Sequence, residues 1–125
     1  MKKINVLGST GSIGISALDI IEKNPERFCV VALAAGDNIG LLIKQIEKFH
    51  PQIVYLKTKE KAAILKSSLK NNSNIEVLYG KEGIKEVASF PEADIVISAI
   101  SGAAGLMPTL AAVSYTHLRA HETVL

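Results

Sequence analysis

Residues 4–14 read Ile-Asn-Val-Leu-Gly-Ser-Thr-Gly-Ser-Ile-Gly, a short apolar run that passes through a glycine-punctuated turn into a helical pattern. A strand that feeds a helix through such a turn is how nucleotide-binding α/β sheets begin. Gly8 closes the strand, where the lack of a Cβ lets the chain turn sharply. Gly11 falls where main chain can approach a pyrophosphate, and Gly14 where a bare Cα lets helix and strand pack tightly. Ser9, Thr10 and Ser12 add hydroxyls, and the free N–H groups and dipole of the helix start favour an anion. The middle glycine sits one place later than in G-x-G-x-x-G, so the motif draws its weight from the strand before it and the helix after it. The alternative is a tight turn that binds nothing.

A chain of 125 residues with 48% hydrophobic content has the material for one compact domain. Fourteen basic residues against twelve acidic ones leave only +2, and the lysines are dispersed, which argues against nucleic acid as a partner. A single cysteine, Cys29, has no partner for an internal disulfide and lies in an apolar run, where a small buried hydrophobe is expected. Asn5, the polar turn and Asp19 interrupt any signal-peptide core after Met1-Lys2-Lys3, and no apolar run is long enough to span a bilayer. The expected compartment is the cytoplasm, with no membrane partner.

Along the chain, Ile13, Ala17, Ile20 and Ile21 recur at helical spacing and predict the buried stripe of the first helix, which fades before Asn24-Pro25. Residues 29–35 predict a strand buried on both faces. Asn38 is a candidate N-cap for a helix with Leu42, Ile46 and Phe49 inward, broken by His50-Pro51. Residues 53–56 predict a third strand, and 59–70 a helix with Ala62, Leu65 and Leu69 inward and lysines in solvent. After the polar run 71–74 come a strand at 75–79, a short helix at 82–89 through Ile84, Val87 and Ala88, and a strand at 95–100. This alternation predicts a Rossmann-like, doubly wound, mainly parallel sheet. Ligands of such sheets sit beyond the carboxyl ends of the strands, which nominates the loops at 8–14, 36–38 and 99–105 together.

Asp37 lies about 20 residues beyond the glycine turn, the usual distance of an acidic residue that accepts a hydrogen bond from the ribose 2′-OH of NAD. His50, beside Pro51, reads as a helix-end residue. His117 and His121, with Glu122, have a spacing that could place two imidazoles near one metal. Their order is not H-E-x-x-H, however, and a third ligand is not evident. Neither a metal site nor a catalytic constellation is assigned.

Taken together, GSTGSIG after the first strand, ALAAGDN after the second and SAISGAAGLMPTLAAV near the end resemble the 1-deoxy-D-xylulose 5-phosphate reductoisomerase family, the last segment most specifically. The resemblance implies an NADPH-dependent enzyme of the non-mevalonate isoprenoid pathway. Such enzymes rearrange 1-deoxy-D-xylulose 5-phosphate and reduce the product to 2-C-methyl-D-erythritol 4-phosphate, with magnesium or manganese holding the substrate. By the same resemblance, Thr10, Gly11, Ser12 and Ile13 match the pyrophosphate turn, and Gly36, Asp37 and Asn38 the adenosine-ribose loop. Ala99, Ile100 and Gly102 match the loop that passes the nicotinamide. Members often carry a basic or small polar residue where this chain has Asp37, which suits NADPH; the carboxylate suits NAD.

The resemblance ends near Val113, giving an incomplete dinucleotide-binding domain over 1–113. Residues 114–125 resemble translated adapter read-through and are expected to be non-native. The metal ligands, the phosphosugar site and the dimer contacts of the family are expected beyond this point. The piece should therefore be inactive alone, and poorly soluble because Leu106, Leu110 and Val113 lack covering partners. Two other readings stay open. One is the amino-terminal domain of another NAD(P)-dependent dehydrogenase, such as a semialdehyde or homoserine enzyme. The other is a small nucleotide-sensing regulatory domain.

Overall fold

Strand and helix alternate through the residues that the computed structural model describes, 1–69 and 74–98. The order is β1 (Lys2–Leu7), α1 (Ser12–Glu22), β2 (Phe28–Ala34), α2 (Ile39–Phe49), β3 (Ile53–Leu56), α3 (Lys59–Ser68), β4 (Glu76–Tyr79), α4 (Gly80–Ala88) and β5 (Ile95–Ser98). The strands form one parallel sheet in the order β4-β3-β2-β1-β5. From β1 to β4 the chain steps across the sheet in one direction. Right-handed crossovers then keep α1, α2 and α3 on one face, whereas the return to β5, on the far side of β1, puts α4 on the other.

The two faces bury separate cores. Leu18 and Ile21 of α1, Leu42 and Ile46 of α2 and Leu65 of α3 pack with Ile4, Val6, Leu33 and Val54. Beneath α4, Val87 and Ala88 pack with Leu7, Ala32, Ile53, Tyr55 and Val96. The parity of β2 depends on an irregularity opposite Ile4 and Asn5, where the partner register jumps from Val30 to Ala32. Val31 and Ala32 consequently share the α4 face, and Leu33 returns to the other. Asn5, fully buried, donates from Nδ2 to the carbonyl of Val87 at 2.6 Å and so ties the end of α4 to β1.

Local chemistry sets the helix ends. The Asn38 side chain accepts from the Leu41 N–H at 3.1 Å and starts α2. His50 stops that helix in the left-handed conformation, with φ 51°, just before Pro51. The stripe of α1 differs from the expected one. Gly14, Leu18 and Ile21 face inward and Ala17 is half-buried, while Ile13 and Ile20 remain 55% and 60% exposed. The reason is Gly14, whose bare Cα presses on the end of β1 and turns the helix so that the arc through 14, 18 and 21 meets the sheet. The lysines of α3 lie at the surface, and its inward residues are Ala62 and Leu65, with Leu69 buried just past its end.

Leu33 is fully buried at the middle of the sheet. Its replacement by alanine should cost about 2–5 kcal/mol, read as a lower thermal midpoint.

Candidate functional site

At the carboxyl end of β1 the chain enters the turn through Gly8, whose φ of 87° an L side chain rarely adopts. The N–H groups of Gly8 and Ser9 both donate to the Ala34 carbonyl, at 2.7 and 2.9 Å, which joins the turn to the end of β2. The Gly11 N–H donates back to the Gly8 carbonyl at 3.2 Å, and the Gly11 carbonyl receives the first helical bond from Ile15 at 2.9 Å. The N–H groups of Thr10, Ser12, Ile13 and Gly14 have no hydrogen-bond partner among the described residues. Three of these donors belong to the first turn of α1, where the helix dipole adds positive potential.

The glycines divide by function. A Cβ on Gly14 would overlap the Gly8 carbonyl oxygen and stand 2.8 Å from the Ser9 Cα, so the fold itself demands glycine there. A Cβ on Gly11 would meet only the Gly8 oxygen at an ordinary 3.6 Å, and one on Gly36 would meet nothing within 4 Å. Folding does not explain those two. Both leave open space beside backbone at the carboxyl edge of the sheet, as a closely approaching ligand requires.

The next loop lies beside this one. Ala35 donates to the Tyr55 carbonyl at 2.9 Å, and Lys57 donates to the Gly36 carbonyl at 3.1 Å, so the ends of β2 and β3 are tied together. Gly36, Asp37 and Asn38 are all exposed. The Asn38 Oδ1 is committed to the helix cap and its carbonyl to the Leu42 N–H at 3.1 Å, which leaves its Nδ2 and N–H available. The Lys61 ammonium of α3 donates to the Asp37 carbonyl at 3.3 Å and lies 3.8 Å from the Asp37 carboxylate.

The structure thus brings two of the three nominated loops to one edge, at the point where strand order switches between β2 and β5 on either side of β1. Ala99, Ile100 and Gly102, together with His117, His121 and Glu122, lie outside the described residues. Within the turn, Ser9 departs from expectation. Its side chain is fully buried and its hydroxyl has no partner among the described residues, so the surface hydroxyls are those of Thr10 and Ser12. Two contacts escaped the sequence reading. One is Lys61; the other is Gln45, 7% exposed, whose Nε2 donates to the Ser9 carbonyl at 2.8 Å. The one available signal for Gln45 was an amide set between Leu42 and Ile46 on the inward arc of α2.

Other features lie elsewhere. A hollow of about 480 Å³ lined by His50, Gln52 and Glu76 opens at the amino ends of β3 and β4, the far end of the sheet from the turn. Burial pushes the Tyr55 phenol above its ordinary value, but that ring belongs to the core under α4. Among the described residues no three His, Cys, Asp or Glu side chains are grouped to hold a metal ion, and no helix is long and apolar enough to cross a membrane.

A free-donor turn over a parallel sheet, with bare glycines in two adjoining loops, is the arrangement that known dinucleotide-binding proteins share. The sequence profile of 1-deoxy-D-xylulose 5-phosphate reductoisomerase matches residues 4–118. The chain belongs to this family. Relatives named 1-deoxy-D-xylulose 5-phosphate reductoisomerase include one from Chlorobium phaeobacteroides, 47% identical over 113 residues, and one from Buchnera aphidicola, 50% identical over 114. Each alignment covers 90% of this chain and 29% of the relative, so the chain spans under a third of their length. The reductoisomerase of Zymomonas mobilis in complex with NADPH superposes with a TM-score of 0.85 at 36% identity, over 91% of this chain and 30% of that one. A reductoisomerase in complex with NADPH, fosmidomycin and magnesium gives 0.86 at 35% identity, over 92% and 28%.

The two kinds of glycine should separate by experiment. Gly14→Ala is expected to destabilise by about 3 kcal/mol, because backbone atoms must move to admit the methyl group. Gly36→Ala should leave the thermal midpoint within about 2 °C, a shift corresponding to less than about 0.5 kcal/mol for a domain of this size. Paired thermal denaturation of the two variants checks this.

Proposed function

We propose that this chain forms the NADPH-binding part of an enzyme that converts 1-deoxy-D-xylulose 5-phosphate to 2-C-methyl-D-erythritol 4-phosphate. The observation that carries the reading is the set of unpartnered N–H groups at Thr10, Ser12 and Ile13, opposite a Gly11 whose missing side chain the fold does not require. Those donors suit a diphosphate, which needs several hydrogen bonds and positive potential but no side-chain charge. Thr10, Gly11, Ser12 and Ile13 would hold the diphosphate, and Gly36, Asp37 and Asn38 the adenosine ribose. Ala99, Ile100 and Gly102 would run beside the nicotinamide. When bound, NADPH supplies the hydride for the reductive step; the residues of this chain bind and orient it.

Membership of the family and its NADPH-bound relative support NADPH over NADH, and so does Lys61. A carboxylate alone at position 37 would repel a 2′-phosphate. The Lys61 ammonium beside it offsets that charge and, having three donors, can still reach a phosphate at the ribose loop. Magnesium or manganese would act with residues outside those described, as would the phosphosugar site and a second subunit. Residues 1–113 are read as the native portion and 114–125 as a non-native tail. The chain by itself should turn nothing over.

Calorimetric titration of the full-length protein carrying this segment tests the assignment. NADPH should bind more tightly than NADH, and saturable NADH binding without a response to NADPH would replace this reading with the NAD one. Lys61→Met should weaken NADPH by about tenfold while leaving NADH within about twofold, the size expected for one charge-assisted contact.

A further inference from the structure

The polar residue in this region that the cofactor reading leaves unused is Gln45. It lies on the inward arc of α2 beside Leu42 and Ile46, nine-tenths buried, with its Nε2 on the Ser9 carbonyl at 2.8 Å. Its Oε1 is buried with no partner among the described residues. The amide satisfies the buried Ser9 carbonyl but strands its own Oε1, whereas a leucine would strand the Ser9 carbonyl instead; one acceptor is orphaned either way, so stability alone does not favour an amide there. The side chain must be valued for what its donor holds.

We infer that Gln45 is a positioning residue for the diphosphate turn, fixing the peptide between Ser9 and Thr10 so that the Thr10 N–H faces outward. The inference rests on the dinucleotide reading of that turn. A trans peptide is planar, and its carbonyl and N–H point in opposite directions. Holding the Ser9 carbonyl against α2 therefore directs the Thr10 N–H away from the helix, and that N–H is one of the unpartnered donors. Without the Gln45 amide this peptide has no other side-chain anchor among the described residues, and rotation about it would replace a donor with a carbonyl facing an anion.

The same helix serves both cofactor loops. Asn38 caps its start within the ribose loop, and Gln45 lies two turns further along, about 10 Å at the rise of an α-helix. The Lys48–Glu22 ion pair, at 3.0 Å, also ties α2 to α1, whose first turn supplies the remaining donors. Gln45 thus sets the spacing between the two halves of one ligand as well as the direction of one donor.

The test uses the full-length protein carrying this segment and two probes, NADPH and adenosine 2′-monophosphate, which has the ribose and its phosphate but no diphosphate. Gln45→Met should raise the Kd for NADPH by about tenfold, as loss of one well-formed hydrogen bond does, and leave that for adenosine 2′-monophosphate within about twofold. Leu42→Ala, a core truncation in the same helix, reports what loss of stability alone does and should keep the ratio of the two Kd values at that of the parent. If Gln45→Met does not fold, Gln45→Glu, which keeps the shape but presents an acceptor to the Ser9 carbonyl, should show the same selective loss. An equal rise for both probes, a Leu42→Ala variant that loses NADPH as selectively, or no change overturns the inference. A parent protein that binds neither probe overturns the dinucleotide reading itself, and this inference with it.

Discussion

The start of α1 lies directly on the end of β1, and the rest of the site depends on that contact. With a side chain at position 14 the helix would have to lift away from the Gly8 carbonyl and the Ser9 Cα. Lifting it would remove the N–H groups of Ser12 and Ile13 from the edge of the sheet. The fold therefore spends a glycine inside a helix, at about 1 kcal/mol relative to alanine, to bring an orphaned helix start against β1. Everything downstream follows from that seating: the Gly8 turn at positive φ, its tie to the Ala34 carbonyl, and the rotation of α1 that leaves Ile13 and Ile20 at the surface.

Polar atoms then stitch the neighbouring layers to this edge. Asn5 reaches from the α4 face of β1 to the end of α4, and Gln45 reaches from α2 to the turn. Each leaves its amide oxygen buried and, among the described residues, unpartnered, as is the Ser9 hydroxyl. An orphaned buried acceptor costs about 1–3 kcal/mol, so a domain held only by its apolar faces would avoid them. They cluster on β1, its turn and the helix beside it, where position matters more than stability. The apolar cores on either face supply the surplus that tolerates them.

Much of the carboxyl edge of the sheet was legible in local sequence because a glycine, an N-cap or a proline acts over a few residues. Gly8, Gly14, Asn38 and Pro51 each did what its own chemistry dictates. The helix and strand order was legible for a similar reason, since periods of two and 3.6 residues need no knowledge of partners. Two of the segments that carry the family resemblance fall on those same loops, and the match to the family spans residues 4–118. What stayed hidden was which side of a segment faces which neighbour. Residues 29–35 are apolar without alternation, so nothing local announced the register jump that puts Val31 and Ala32 on one face.

The amino-acid order by itself determined the alternating α/β plan, the glycine turn with its free helix start and the place of the exposed loop at 36–38 beside it, because each depends on backbone freedom within a few residues. Tertiary structure alone decided that Gly14 rather than Ile13 or Ile20 faces the sheet. It also decided that Gln45 meets Ser9 and that Lys61 stands beside Asp37. Those contacts join residues 24 and 36 positions apart, and only the packing of α2 and α3 on one face of the sheet brings them within a hydrogen bond or an ion pair.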